Sequence, residues 1–155
     1  MKLETARVLS HQQLYENTFL MWLSCPPIAI GASIGRFLMI HCADGYDPLL
    51  PRPMSFHRVR NGAGGPEWSI LYDVVGRGTA WLSRRKPGDR VYGWGPLGRG
   101  YEIGRTSRNL LLVGGGIGVA PLVWLADEAV AKGLRVTLIV GARDAEHVFP
   151  SHLLP

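Results

Sequence analysis

Arg52-Pro-Met-Ser55 sets a guanidinium beside a proline-stiffened bend, with a hydroxyl three residues later at the entry to a strand. A guanidinium offers planar, paired donors to phosphate, and the hydroxyl can meet a ring edge at the same time. The plainer alternative is a basic loop before an ordinary edge strand. Gly76-Arg-Gly-Thr79 places two glycines and a hydroxyl ahead of a short helix, a nest of amides suited to phosphate. N-capping by Thr79 would account for the threonine but not for the glycines and Arg77. In the third stretch the apolar run Leu110–Val113 leads into Gly114, Gly115, Gly116 and Gly118, with Pro121 where a helix over Leu122–Lys132 would begin. Strand, glycine turn and helix N-terminus together form an anion site, or else a tight structural turn. Counting G-x-G-x-x-G from Gly114 puts Val119 at the third glycine position, so the strict dinucleotide fingerprint is not met.

Other candidates are weaker. Trp94-Gly-Pro-Leu-Gly-Arg-Gly-Tyr101 reads as a linking loop or as a direct cofactor contact. Arg143-Asp144 follows a strand where a nucleotide-binding sheet meets the adenosine ribose; an acid there favours a free 2′-hydroxyl and an arginine a 2′-phosphate, so NAD and NADP stay unresolved. Five histidines show no mutual ligand spacing, and Ser55 has no histidine–carboxylate pattern to activate it. No catalytic or metal-ligating residue is assigned.

These residues need elements to hold them. Thr5–Leu9, Thr18–Ser24, Arg36–Cys42, Pro53–Arg60, Trp68–Val75 and Asp89–Gly93 read as strands, with 28–31 as loop, 61–66 as a hairpin turn and Ala80–Arg85 as a short helix. Such a series predicts a small antiparallel barrel over residues 1–104. From 105 to 155 the pattern becomes strand 110–113 (unbroken and apolar, as if covered on both faces), helix 122–132, Gly133 as its stop, and strand 135–140. One βαβ unit makes only an incomplete Rossmann-like nucleotide-binding domain. Either another chain completes that domain or the chain is a fragment of a longer protein, and a fragment is expected.

With 46% hydrophobic and 19% charged residues, the chain is that of a folded protein. Eleven of its 17 basic residues lie between Arg52 and Arg108, against four acidic ones. That band suits a phosphorylated cofactor or an acidic partner; with no nucleic-acid motif beside it, nucleic acid is not expected. Cys25 and Cys42 read as reduced, buried thiols of a cytoplasmic protein. The apolar stretch near 19–30 is broken by Pro26-Pro27, which fits neither a signal peptide nor a membrane span.

In order and spacing, Arg52-Pro-Met-Ser55, Gly78-Thr79 and Gly114–Pro121 resemble the motifs of ferredoxin reductase-type flavoproteins, an FAD-binding barrel followed by a pyridine-nucleotide domain. More narrowly, Leu50-Pro-Arg-Pro-Met-Ser55, Val75-Gly-Arg-Gly-Thr79, Gly95-Pro-Leu-Gly-Arg-Gly100 and Gly114–Leu122 resemble the electron-transfer subunits of NAD-linked, two-subunit dihydroorotate dehydrogenases of pyrimidine biosynthesis. The resemblance implies FAD with its pyrophosphate on Arg52 and Ser55 near flavin N5. It places Pro53, Met54, Leu71, Tyr72 and Asp73 around the flavin, and the Gly78 and Thr79 amides on the phosphates. NAD(H) would dock on Gly114, Gly115, Gly116, Gly118 and Pro121, and electrons would pass to a catalytic, FMN-containing partner subunit. Two departures stand out: relatives commonly carry a basic residue at the position of Asp73, and they continue into a cysteine-rich tail binding a 2Fe-2S cluster. Two distant cysteines cannot build that cluster. Alternatives are another ferredoxin reductase-like NAD(P)H oxidoreductase and a flavin-binding module without turnover of its own.

Overall fold

The computed structural model describes residues 3–155. Seven strands form one antiparallel sheet: β1 (Glu4–Tyr15), β2 (Thr18–Ser24), β3 (Phe37–His41), β4 (Arg52–Ser55), β5 (Arg58–Gly62), β6 (Gly65–Asp73) and β7 (Arg90–Leu97), in the order β4-β3-β7-β1-β2-β6-β5. Alternate residues turn inward, as the two-residue period of a strand requires: Ala6 and Val8, Met21 and Leu23, Leu38 and Ile40, Ile70 and Tyr72 share one core. Helix α1 (Pro26–Gly31) adds Ile28 and Ala29 to that core, and α2 (Arg77–Ser83) adds Trp81 and Leu82.

The sheet curls without closing. β4 and β5 occupy opposite edges and do not pair. The single strand expected over Pro53–Arg60 is broken at Phe56 and His57, two consecutive side chains that are both fully buried. A regular strand sends neighbours to opposite faces, so burying both requires cover on both sides. Phe56 enters the barrel core, while His57 meets the following α/β unit. Here the Phe56 N–H still donates to Arg36 O beside β3 (3.1 Å), and the His57 N–H already donates to Ser69 O of β6 (2.8 Å). The chain thus carries the sheet around its own corner.

Residues 28–31, expected as loop, lie in α1. Pro-Pro reads as a breaker, but proline suits a first helical turn, and Ile28 and Ala29 are buried beneath it. The hairpin at 61–66 is present, with Asn61 opposite Pro66 and Gly62 opposite Gly65.

Two parallel strands follow, β8 (Asn109–Gly115) and β9 (Arg135–Gly141), joined through α3 (Ala120–Ala131). The helix ends in a Schellman motif: Gly133, at φ +74°, donates to Val130 O, and Leu134 donates to Ala129 O. Cover on both faces of Leu110–Val113 is not observed. Leu112 packs on Leu125 and Ala126 of α3, whereas Leu111 and Val113 are about two-thirds exposed, because α3 covers only one side of this two-stranded sheet. No helix among the described residues is long and apolar enough to cross a membrane.

The two sheets meet through a shared apolar cluster. Leu20 and Leu71, on outward-facing positions of β2 and β6, pack with Val119, Ala120, Val123 and Phe149. This contact brings the glycine turn before α3 over the end of β6.

Candidate functional site

Three segments far apart in sequence wall one cavity of about 420 Å³: Arg52, Pro53, Met54 and Ser55 of β4; Leu71, Tyr72 and Asp73 of β6 with Val75 and Thr79; and Ile117, Gly118, Ala120 and Pro121 of the glycine turn. β4 and β6 come together because the sheet curls; the turn comes over them because of the apolar cluster between the sheets.

Among the described residues, Arg52 is the one arginine lining the cavity. Five of the basic residues in the central band are paired with carboxylates: Arg58 with Asp127, Arg60 with Glu67, Arg77 with Asp47, Arg85 with Asp44 and Arg99 with Glu102. Arg52 has no such partner among the described residues; its Nη1 donates to Leu50 O at 2.5 Å. Its guanidinium lies across the start of α2, where a Cβ on Gly78 would stand 2.9 Å from Nε. Gly78 does not line the cavity, and its bare backbone is what lets the cation lie there. Thr79 is spent locally: its hydroxyl accepts from the Val75 N–H (2.9 Å) and from the more distant Gly76 N–H (3.3 Å), the capping role set against phosphate binding.

Met54 is turned into the barrel core. Tyr72 also faces inward, its hydroxyl 2.9 Å from His11 Nε2, while His11 Nδ1 lies 2.7 Å from Arg85 O. Burial pushes the Tyr72 phenol up and the His11 imidazole down, so this pair is neutral scaffolding. Asp73 accepts from the Thr18 hydroxyl at 2.5 Å.

The turn's glycines divide by environment. A Cβ on Gly114 would meet Leu122 Cδ1 at 3.0 Å and Val119 Cα at 3.1 Å, so Gly114 is small for packing. At Gly115, Gly116 and Gly118 a Cβ would meet nothing, and only Gly116 needs positive φ, at +48°. Backbone left bare toward open space suits the close approach of a ligand. Gly118 and Pro121 line the cavity; Gly116 lines a neighbouring cleft; Gly114 and Gly115 line neither.

That cleft, about 310 Å³, shares Asp73, Val75 and Ile117 with the cavity and extends past Tyr15, Asn17 and Thr18 to Arg143 and His147. Arg143 bonds Glu16 (2.8 Å) and lies 3.4 Å from Asp144, and His147 reaches both carboxylates. Asp144 holds the His147 imidazole above its usual range. Arg143, and after it His147, hydrogen-bond the Glu16 carboxylate and hold it below the usual range.

Ile117, Ala120, Val75, Tyr15 and Thr18 were not marked by sequence as site residues. Ile117 and Ala120 occupy the variable positions of the glycine motif, and Tyr15–Thr18 is an ordinary β-turn placed by strand pairing. The Trp94–Tyr101 stretch contributes nothing to the cavity. Arg36 ties it down by donating to Gly98 O and Pro96 O, and Gly100 packs on Ile34 O, so it is a structural link.

An arginine strand facing a glycine turn across an open-ended barrel defines a class. The fold is that of ferredoxin reductase-type FAD/NAD proteins: the structure of an NADH-dependent reduced ferredoxin-NADP oxidoreductase superposes at TM-score 0.83, with 27% identity over 96% of this chain and 52% of that one. The flavohem-like FAD/NAD binding domain of a Vibrio cholerae nitric oxide dioxygenase superposes at 0.81, with 20% identity over 96% of this chain and 67% of that one. In sequence, the chain is a homologue of the electron transfer subunits of NAD⁺-dependent dihydroorotate dehydrogenase B. That of Desulforamulus reducens is 41% identical over 95% of this chain and 55% of its own length, and that of a Geobacillus species 38% over 96% and 58%. The chain spans little more than half the length of these curated relatives. No family model matches it.

Proposed function

We propose that this chain is the flavin-binding and NADH-facing part of a dihydroorotate dehydrogenase B electron transfer subunit, with residues 1–104 as the FAD barrel and 105–155 as the start of the nucleotide domain. The observation carrying this reading is the common cavity: the Arg52–Ser55 strand, the end of β6 and the Ile117–Pro121 turn converge on it although they lie far apart in sequence.

The residues present fit FAD. Arg52, without a carboxylate partner among the described residues and lying against Gly78, would neutralise the pyrophosphate. Ser55 offers a hydroxyl to the ring edge, while Leu71 and Val75 supply apolar wall. Thr79 acts through its backbone, its hydroxyl being used in capping. Asp73, held by Thr18, places a carboxylate beside the cleft that opens toward Arg143. When bound, the flavin would take a hydride from NADH and release electrons singly. This chain's residues would supply position and electrostatics: the Ile117–Pro121 turn would hold the nicotinamide nucleotide across the gap from the Ser55 wall, with water kept out. The onward acceptor is a catalytic, FMN-containing subunit, and the setting is the cytoplasm.

The test is the purified protein mixed with FAD, desalted and examined in the visible. About one flavin per chain, bleached by NADH under anaerobic conditions and largely lost in Arg52→Ala, is the expected result. A chain that stays colourless overturns the reading. Flavin that binds but is not reduced leaves a flavin module without turnover.

A further inference from the structure

His57 contributes no wall to the cavity, yet it is attached to both sides of it. It follows Ser55 by two residues, at the corner where β4 gives way to β5, and is fully buried. Its backbone holds Ser69 of β6, its ring stands edge-on to Phe149 (centroids 5.9 Å apart), and its Nδ1 lies 2.9 Å from the carbonyl oxygen of Ala120, the first residue of α3. Burial pushes the imidazole down to about 4, so it is neutral near pH 7. A carbonyl only accepts; Nδ1 therefore carries the ring's single hydrogen, and Nε2 is left without a donor among the described residues.

A leucine or phenylalanine would fill this space without leaving a buried ring nitrogen unpaired. What histidine adds is a directional bond from the flavin-side strand to the nucleotide-side helix. The next residue, Arg58, grips Asp127 of the same helix through Nε (2.5 Å) and Nη2 (3.0 Å). Ala120 and Asp127 are seven residues apart, about 10 Å along the axis, so two consecutive barrel residues hold α3 at two points.

We propose that His57 is a positioning residue: its Nδ1–H bond to Ala120 O sets the spacing between the Ser55 wall and the Gly118–Pro121 wall, and with it the distance over which hydride passes. This rests on NADH reducing a flavin in the cavity. The spacing should govern rate more than affinity, because the nicotinamide nucleotide binds to the turn whichever way the turn sits.

The experiment compares wild type, His57→Asn and His57→Gln by anaerobic stopped-flow reduction with NADH, after the flavin content of each has been read from its spectrum. An asparagine amide can donate from near the Nδ1 position; the longer glutamine places its amide near Nε2. Expected are unchanged FAD content in both variants, a limiting reduction rate ten- to a hundredfold lower in His57→Gln at half-saturating NADH within about twofold of wild type, and recovery to within about threefold in His57→Asn. Wild-type rate in FAD-loaded His57→Gln, or equal slowing in both, overturns the proposal. If His57→Gln fails to fold, His57→Asn decides alone: near-wild-type rate supports the proposal, slow reduction with full flavin overturns it. A wild type that binds FAD but is not reduced defeats the proposed function itself, and this inference with it.

Discussion

A cation can wait for an anion only where no carboxylate has claimed it, and in the central basic band that separates Arg52 from its paired neighbours Arg58, Arg60, Arg77, Arg85 and Arg99. Arg52→Lys keeps the charge but loses the planar fork, so FAD affinity measured by calorimetry should fall about tenfold, and further in Arg52→Ala. The glycines allow a sharper comparison. Gly114→Val drives atoms into Leu122 and the Val119 backbone and should cost about 1–3 kcal/mol in urea denaturation. At Gly118 an added Cβ meets nothing, so Gly118→Ala should stay within about 1 kcal/mol of wild type while weakening NADH binding. His57 adds a pH signature. Its imidazole titrates near 4 in the fold against about 6.5 unfolded, so on acidification the unfolded chain takes the proton first. The stability tied to neutral His57 is complete above pH 6.5 and lost toward pH 4, by up to about 3 kcal/mol; His57→Asn should flatten that slope. Arg52, Ser55 and the glycine turn could be picked out in sequence as candidates because their residue types themselves suggest the chemistry, and the structure brings Arg52, Ser55, Gly118 and Pro121 to one cavity. His57 could not be picked out, since a lone histidine in a strand gains its role only from what packs opposite.

At the level of elements, local chemistry was readable where it acts locally. Pro121 opening α3, Gly133 closing it and the glycine-rich hairpin at 61–66 all stand where their residues indicate. The errors arose where tertiary cover decides. Pro26-Pro27 begins a helix because the barrel buries Ile28, and the strand over 53–60 breaks because the α/β unit claims His57. Leu111 and Val113 are apolar yet exposed, which no residue pattern distinguishes from burial. The docking of α3 on β5 through Arg58 and Asp127 is partly buried and bidentate. Asp127→Ala should therefore cost about 1–3 kcal/mol in thermal or urea unfolding, against about 0.5 or less for Glu102→Gln in the exposed Arg99 pair.

The molecule as a whole consists of two sheets that share an apolar cluster, and the cavity exists only because that cluster seats the glycine turn over the barrel's open end. Neither half alone would hold both walls. The chain is homologous to electron transfer subunits over 95% of its length, and under the proposed function the two sides of this cavity would be a flavin wall and a nucleotide wall. The most direct measurement is the visible spectrum of the purified, FAD-treated protein before and after anaerobic NADH. One tightly held flavin per chain that bleaches on NADH, and is absent in Arg52→Ala, is the predicted result; a wild type that remains colourless after FAD treatment would contradict the account.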